Sequence, residues 1–577
     1  MKFRYNLFIF IIVIPLIFSN ANSQVLETKS LSTERGYEPV EITFDTTYFD
    51  SLYLSYLSGI PTSQLFLYAY YSGQGWQPIP FQIDEDNADP FVPSDDVIDS
   101  TDVLIFLAKD LGDKVYQKTW IENPESQSNK RYEIEIVDLK DRSKKGWCYL
   151  FISSTLSEQD KSQTKYVEVD TINDVIMSSF YQIDYGGKWY PENILITTKA
   201  EGNNQDFYDR TKVRFIMLIA GGNWLTLTED NLVIDPDSTM QHTINPVVRL
   251  KRKIPLKVLV YGQPFGKAPK FTMTYYPYSV VFSGDIGLEN YRGLARVKYV
   301  RMSYDLNSSA TNTKFFSGDS TGIKNQNILI DGSGSLDNAD TSMVKNTKNW
   351  TMVSGTPGTM LTINDVRYES NPPVVPPEPH AQYLYYWDDK SGSVLAGSEY
   401  PSENDVDTGD STSYGDHGMF FESYALTDSL HYISTTYFIG KDQSGETAQN
   451  MFDKFITPLK DPSSVNIQSQ DYVTNVKLTG ENHLPSEYRL KPNFPNPFNP
   501  NTTITFELPE DNIVSLQVFD VQGSHIITLV NQKLDAGVHN FIWNGRDKNN
   551  NMVSSGIYIC TIRTDVFTAS QKMLFIK

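Results

Sequence analysis

The chain reads as an all-β, multidomain protein built of antiparallel β-sandwiches, and three observations predict this. Apolar and polar residues alternate at period two in run after run of its 577 residues, the pattern of strands with one buried face. Gly, Asn, Asp and Ser break these runs at short intervals, as turns between antiparallel strands require. Helical periodicity is convincing only from Glu446 to Phe455. A chain this long exceeds what a single core supports, so two or three domains are expected.

Taken in order, the chain opens with Lys2 and Arg4, an apolar run from Leu7 to Phe18 interrupted by Pro15, and the small-residue stretch Ala21-Asn22-Ser23. These are the three parts of a secretory signal peptide, so residues 1–23 are expected to direct export and then be cleaved. A spanning helix needs about twenty apolar residues. The longest other apolar run, Phe215 to Ala220, is far shorter, and no transmembrane segment is expected in the mature chain.

Residues 24–166 form an N-terminal β domain with strand-like runs at Glu41–Phe44, Gln64–Tyr71, Tyr132–Val137 and Gly146–Ile152. Residues 167–460 continue as a large β-sandwich, with Pro372–Pro379 as an extended excursion. The polar stretch 461–487, with Pro462 and Pro485, reads as a linker to a last module at 488–577. Cys148 and Cys560 each sit inside an alternating strand and are read as buried packing residues.

The formal charge of −21 argues against nucleic acid as a partner, because phosphate binding depends on basic patches. It suits a protein kept in solution outside the cell.

The last module opens on the run 490–509, LKPNFPNPFNPNTTITFELP. Pro492, Pro495, Pro497 and Pro500 fix φ and remove donors, giving an extended collar that includes Asn496, Phe498 and Asn499. Ile504, Phe506 and Leu508 then share one strand face, Val514, Leu516 and Val518 the next, and Phe541 and Trp543 a third. Gly523, Gly537 and Gly545 supply turn chemistry, and Ser555, Gly556 and Tyr558 begin a closing strand. A small Ig-like sandwich is expected. This pattern resembles the C-terminal sorting domain of cargo for the type IX secretion system, with its "SGvY" strand and basic-apolar final strand, here Lys572–Lys577. The resemblance implies the type IX machinery as a partner and a secreted or outer-membrane-surface location. A generic Ig-like domain without an export role is the alternative.

Two signatures in the first region, Trp76–Glu85 and Ser100–Asp113, are similar to segments of uncharacterised bacterial secreted β proteins. Between them Asp84, Glu85, Asp86, Asp89, Asp95, Asp96 and Asp99 crowd one loop. Carboxylates packed so closely repel unless solvent or a cation intervenes, so the loop is either solvated or a calcium site. Asp331 and Asp337, spaced by Gly and Ser, pose the same choice between a hard cation and an ordinary turn. No other cofactor is implied.

Catalytic sets are hard to find. Gly318–Gly322 spells G-x-S-x-G, but a loop and a strand follow where a nucleophile elbow needs a helix. The seven histidines are scattered, without zinc-hydrolase spacing. Asp416 beside His417 is either an acid–base unit or a polar turn.

Tyr and Phe number 35 and 31. The runs holding Trp189, Tyr190 and Trp387 offer flat faces on which a sugar ring could stack, though aromatics also pack strand interiors. The segments Pro246–Arg252, Asn349–Gly358, Tyr385–Asp389 and Tyr414–Gly418 resemble, in order, those of large β-supersandwiches related to carbohydrate-processing folds. The expectation is an exported surface protein whose body binds polysaccharide. A secreted lyase or hydrolase and a purely structural envelope protein are the rivals.

Overall fold

The computed structural model describes residues 25–84, 96–219, 224–235, 241–242, 246–264, 270–287, 295–330, 342–343, 349–369, 382–387, 416–422, 429–472, 487–491, 493, 496–498, 502–534, 537–548 and 551–576. The signal-peptide segment 1–23, the collar residues Pro495, Asn499 and Pro500, the acidic residues Asp86, Asp89, Asp331 and Asp337, and the excursion 372–379 lie outside them. The chain divides into two compact units, residues 1–473 and 474–577. The fold is all-β and antiparallel, as the alternation predicts. Among the described residues no helix is long and apolar enough to cross a membrane.

The first unit begins with a five-stranded sheet in the order Val465–Gln470, Arg131–Val137, Lys145–Ile152, Leu65–Tyr71 and Gly75–Pro78. A three-stranded sheet of Pro39–Thr43, Val103–Leu107 and Phe81–Asp84 shares its core. Strand Lys145–Ile152 is buried on both faces, so its alternation separates two packing environments. Cys148 and Leu150 join Ile42, Leu67, Phe106 and Ile134 in an aliphatic core, while Trp147, Tyr149 and Phe151 join Phe66, Tyr70 and Trp120 on the other side.

Two features here depart from the sequence reading. The helix Ser51–Leu57 has only seven residues, too few for its period to stand out. Residues 465–470, within the stretch read as a linker, form a strand along Arg131–Val137, with Val465 opposite Ile136 and Ile467 opposite Ile134. Their polarity serves cross-strand pairing: Asn466 Nδ2 donates to Glu135 Oε1 at 3.0 Å and Gln470 Nε2 to Glu133 Oε2 at 3.2 Å.

Further along the first unit, a nine-stranded and a six-stranded sheet contribute to one core that includes Tyr208, Met302 and Met419 from the six strands and Met273, Phe282, Met360 and Phe438 from the nine. The expected helix spans Gly445–Phe455, and Ser444 Oγ caps it by accepting the Thr447 amide at 3.2 Å. Ala448 and Phe452 pack on Phe316, Trp350, Met352 and Leu361. Gly318–Asp319 and Gly322 belong to two paired strands, so Ser320 sits in a hairpin turn, not at a strand-to-helix elbow.

The second unit is a two-sheet sandwich. Arg489–Leu490, Thr502–Leu508 and Gly537–Trp543 form one sheet; His525–Leu534, Asn512–Asp520, Gly556–Arg563 and Thr568–Phe575 form the other, in that order. Ile504, Phe506, Leu508, Val514, Leu516, Val518 and Trp543 are all buried, as their alternation predicts, and Phe541 is half-buried against them. Cys148 and Cys560 are free and buried.

Candidate functional site

In the second unit, motif residues far apart in sequence meet at the last strand. Phe498 is 2% exposed and packs on Trp543 at 5.4 Å and Phe575 at 5.1 Å between ring centroids. Its amide donates to Leu574 O at 3.0 Å, and the Ile576 amide donates to Phe498 O at 3.0 Å. Asn496 makes a second stitch: its Oδ1 accepts the Leu574 amide at 2.8 Å and its Nδ2 donates to Lys572 O at 3.1 Å. Pro497, lacking a donor, lies between the two stitches.

Trp543 donates through Nε1 to Arg546 O at 3.0 Å and meets Tyr558 edge-on at 5.0 Å. Tyr558 donates to Ser554 O at 2.7 Å, beside Ser555 and Gly556. Gly523 and Gly545 have φ of 81° and 67°, values that L side chains strain to adopt. Gly537 pairs with Leu508 at a strand end.

The candidate cation site receives a correction at Asp84. Asp84 is 5% exposed, and its Oδ2 accepts from Arg249 Nε at 2.9 Å and Nη2 at 2.6 Å, with Lys251 Nζ at 3.5 Å. Gln82 Nε2 donates to Oδ1. Arg249 Nη1 also lies 3.0 Å from Glu41 Oε2, and Tyr276 donates to Glu41 Oε1 at 2.6 Å. Burial raises the Glu41 pKa, but Arg249 and Lys460 outweigh it and hold the carboxyl well below its usual range. Two basic side chains thus neutralise Asp84, where a calcium ion would be repelled. Among the described residues no group of three or more His, Cys, Asp or Glu is placed to hold a metal ion.

The expected sugar-stacking rings at Trp189 and Tyr190 are core residues, 3% and 7% exposed. Trp189 stacks on Phe271 at 5.9 Å and donates to Glu229 O at 3.3 Å. The apolar cavity it lines holds about 60 Å³, far below the roughly 300 Å³ at which ligand pockets begin. His417 is fully buried between Tyr304 and Phe315, and among the described residues neither ring nitrogen has a hydrogen-bond partner. Burial lowers its pKa to about 3. It is therefore neutral and enclosed, whereas an acid–base unit must reach a cleft. Asp416 pairs through its backbone with Asp305 and with Trp387; the side chains of Asp416 and Trp387 lie outside the described set.

An aromatic cleft that the sequence reading did not single out lies in the first unit. It encloses about 760 Å³ and is lined by Tyr68, Tyr70, Trp76 and Trp120, with Lys118, Glu122, Asn123 and Asp160. Its rings come from the aromatic face of the five-stranded sheet and from the irregular segment around Trp120. Tyr70 and Phe151 each meet Trp76 edge-on at 5.4 Å, and Trp120 meets Phe151 at the same distance.

Beneath them the fully buried Arg131 places its guanidinium 4.6 Å from the Trp120 centroid and 5.7 Å from that of Trp76. It donates to Gln470 Oε1 at 2.9 and 2.7 Å and to Thr119 O. Burial lowers its pKa to about 10, which leaves it charged at neutral pH. Trp76 and Tyr68 are half-buried. Tyr68 donates to Asp160 O at 2.9 Å, and the buried Trp76 Nε1 has no acceptor among the described residues. The signal in sequence was the run of rings in Leu65–Tyr71 together with Trp76. Trp120, in a loop, gives none.

The FlgD Ig-like domain family matches residues 496–565, so the second unit is Ig-like in sequence pattern as well as in fold. No curated protein matches the chain. Among solved structures, a polysaccharide lyase is 7% identical with a TM-score of 0.17, over 70% of this chain and 47% of its own. PorZ, an essential bacterial surface component of the type-IX secretion system of Porphyromonas gingivalis, is 10% identical with a TM-score of 0.12, over 74% and 49%. Dimeric latent PorU from the same organism is 8% identical with a TM-score of 0.14, over 82% and 35%. The chain spans half or less of the length of these structures.

Proposed function

We propose that the chain is cargo of the type IX secretion system, that residues 488–577 are its sorting domain, and that its body binds polysaccharide at the cell surface or in the medium without cleaving it. The observation that carries the export reading is the stitch between Asn496-Pro497-Phe498 and the last strand. It gives the collar motif a structural purpose, since the motif closes the edge of an Ig-like sandwich. The leader read in residues 1–23 supplies the first export step. Deleting 490–577 in a host with the type IX machinery should leave the protein in the periplasm, and fusing that module and a signal peptide to a reporter should carry the reporter out. Unchanged surface delivery of the truncated chain would refute the sorting role.

Abundant aromatic residues with polar neighbours support the binding reading, because sugar rings present flat C–H faces to aromatic rings and hydroxyls to the rim. Incubation of the purified chain with a polysaccharide panel separates the readings: retention without new reducing or unsaturated ends is the expected result, and cleavage products would establish an enzyme instead.

A further inference from the structure

We infer that the cleft between Trp76, Tyr68 and Trp120 is the glycan site, and that it takes a neutral oligosaccharide; this rests on the polysaccharide-binding reading above. Its volume, about 760 Å³, falls within the roughly 300–1,000 Å³ of small-ligand sites. Trp76 and Tyr68 are half-buried, so part of each ring is available for stacking. Trp120 and Tyr70, 7% and 8% exposed, back them. Edge-on contacts with Phe151 and the bond from Tyr68 to Asp160 O fix these rings before any ligand arrives, which lowers the ordering cost of binding.

Arg131 decides the charge of the ligand. Aromatic faces with carboxylates nearby also describe a cage for a quaternary ammonium. Here a buried guanidinium already sits against both tryptophans, and a second cation over the same rings would be repelled. A polyanionic sugar meets two carboxylates, Glu122 and Asp160, against one lysine, Lys118, in the lining. A neutral ring avoids both conflicts. Its hydroxyls would donate to the Glu122 and Asp160 carboxylates in the lining.

The test is tryptophan fluorescence and calorimetric titration of the purified full chain with cellohexaose, mannohexaose, xylohexaose, oligogalacturonate and choline. At least one neutral hexasaccharide is expected to bind and shift the emission. Trp76→Ala should weaken that binding at least tenfold and Glu122→Gln about threefold, with the melting temperature of Glu122→Gln unchanged. Neutral-glycan binding that neither variant alters would move the site elsewhere and overturn this inference while leaving the binding reading intact. Preference for oligogalacturonate or choline would overturn the ligand class. If no glycan binds the wild-type chain, both this inference and the binding reading fall.

Discussion

Arg249 directs two guanidinium nitrogens onto one oxygen of Asp84, at 2.9 and 2.6 Å, and both side chains are 3% exposed. The pair joins the strand Phe81–Asp84 to the residue preceding the strand Leu250–Ile254, 165 positions away. Removing one partner strands a buried charge, a loss of about 3–5 kcal/mol. Arg249→Met is therefore expected to lower the urea midpoint substantially. The double variant Arg249→Met/Asp84→Leu should recover part of that loss, since Glu41 still lacks its Arg249 partner. A single variant as stable as wild type would show that the pair holds nothing together.

His417 sets a pH dependence. Its pKa is lowered by burial from 6.5 to about 3, so between those values the unfolded chain binds a proton that the folded chain refuses. Stability contributed by the neutral ring is full above pH about 6.5 and is lost as pH falls toward about 3, by up to roughly 4–5 kcal/mol. His417→Phe removes that slope. It also removes two buried nitrogens that have no partner among the described residues, worth about 1–3 kcal/mol, so the variant should melt higher at neutral pH. Denaturant titrations at several pH values check both points; a steeper acid slope in the variant would contradict them.

What was legible in the sequence was local. Ile504, Phe506 and Leu508 declare a buried face by alternation alone, and Glu446–Phe455 declares a helix by its period. What failed was set by partners distant in the chain. Asp84 sits among acids in sequence, yet its environment is basic because Arg249 and Lys251 reach it from another sheet. Trp189, flanked by glycines and lysine, reads as exposed until Phe271 covers it. Trp120 owes its place in the cleft to Arg131 and Phe151, and no periodicity announces a ring held in a loop.

Phe498 ties the collar to the last strand, and truncating a buried aromatic costs about 3–5 kcal/mol. Phe498→Ala is expected to lower the melting temperature of the second unit and to reduce surface delivery. Asn496→Ala removes both side-chain stitches while sparing the core, and each lost bond contributes about 0.5–1.5 kcal/mol. Its melting temperature should fall less. Calorimetry with cell fractionation separates the two effects: normal folding with lost delivery would make Asn496 part of the recognised surface, whereas loss of both in proportion would make it structural.

Where the body ends is the sharpest test of the strand that the polar sequence concealed. Six residue pairs join Val465–Gln470 to Arg131–Val137, and Gln470 Oε1 holds the guanidinium that underlies the aromatic cleft. A chain cut after residue 460 leaves the edge of Arg131–Val137 unpaired, an invitation to edge-to-edge association, and deprives Arg131 of two donor contacts. A chain cut after residue 473 keeps them. Residues 24–473 are therefore expected to purify as a soluble, cooperatively melting species, and residues 24–460 to aggregate or melt at least 10 °C lower, which at about 2–4 °C per kcal/mol takes a loss of roughly 2.5–5 kcal/mol or more. Equal solubility and equal melting of the two would show that this strand is an ornament to the sheet, and that the linker begins where the composition alone would put it.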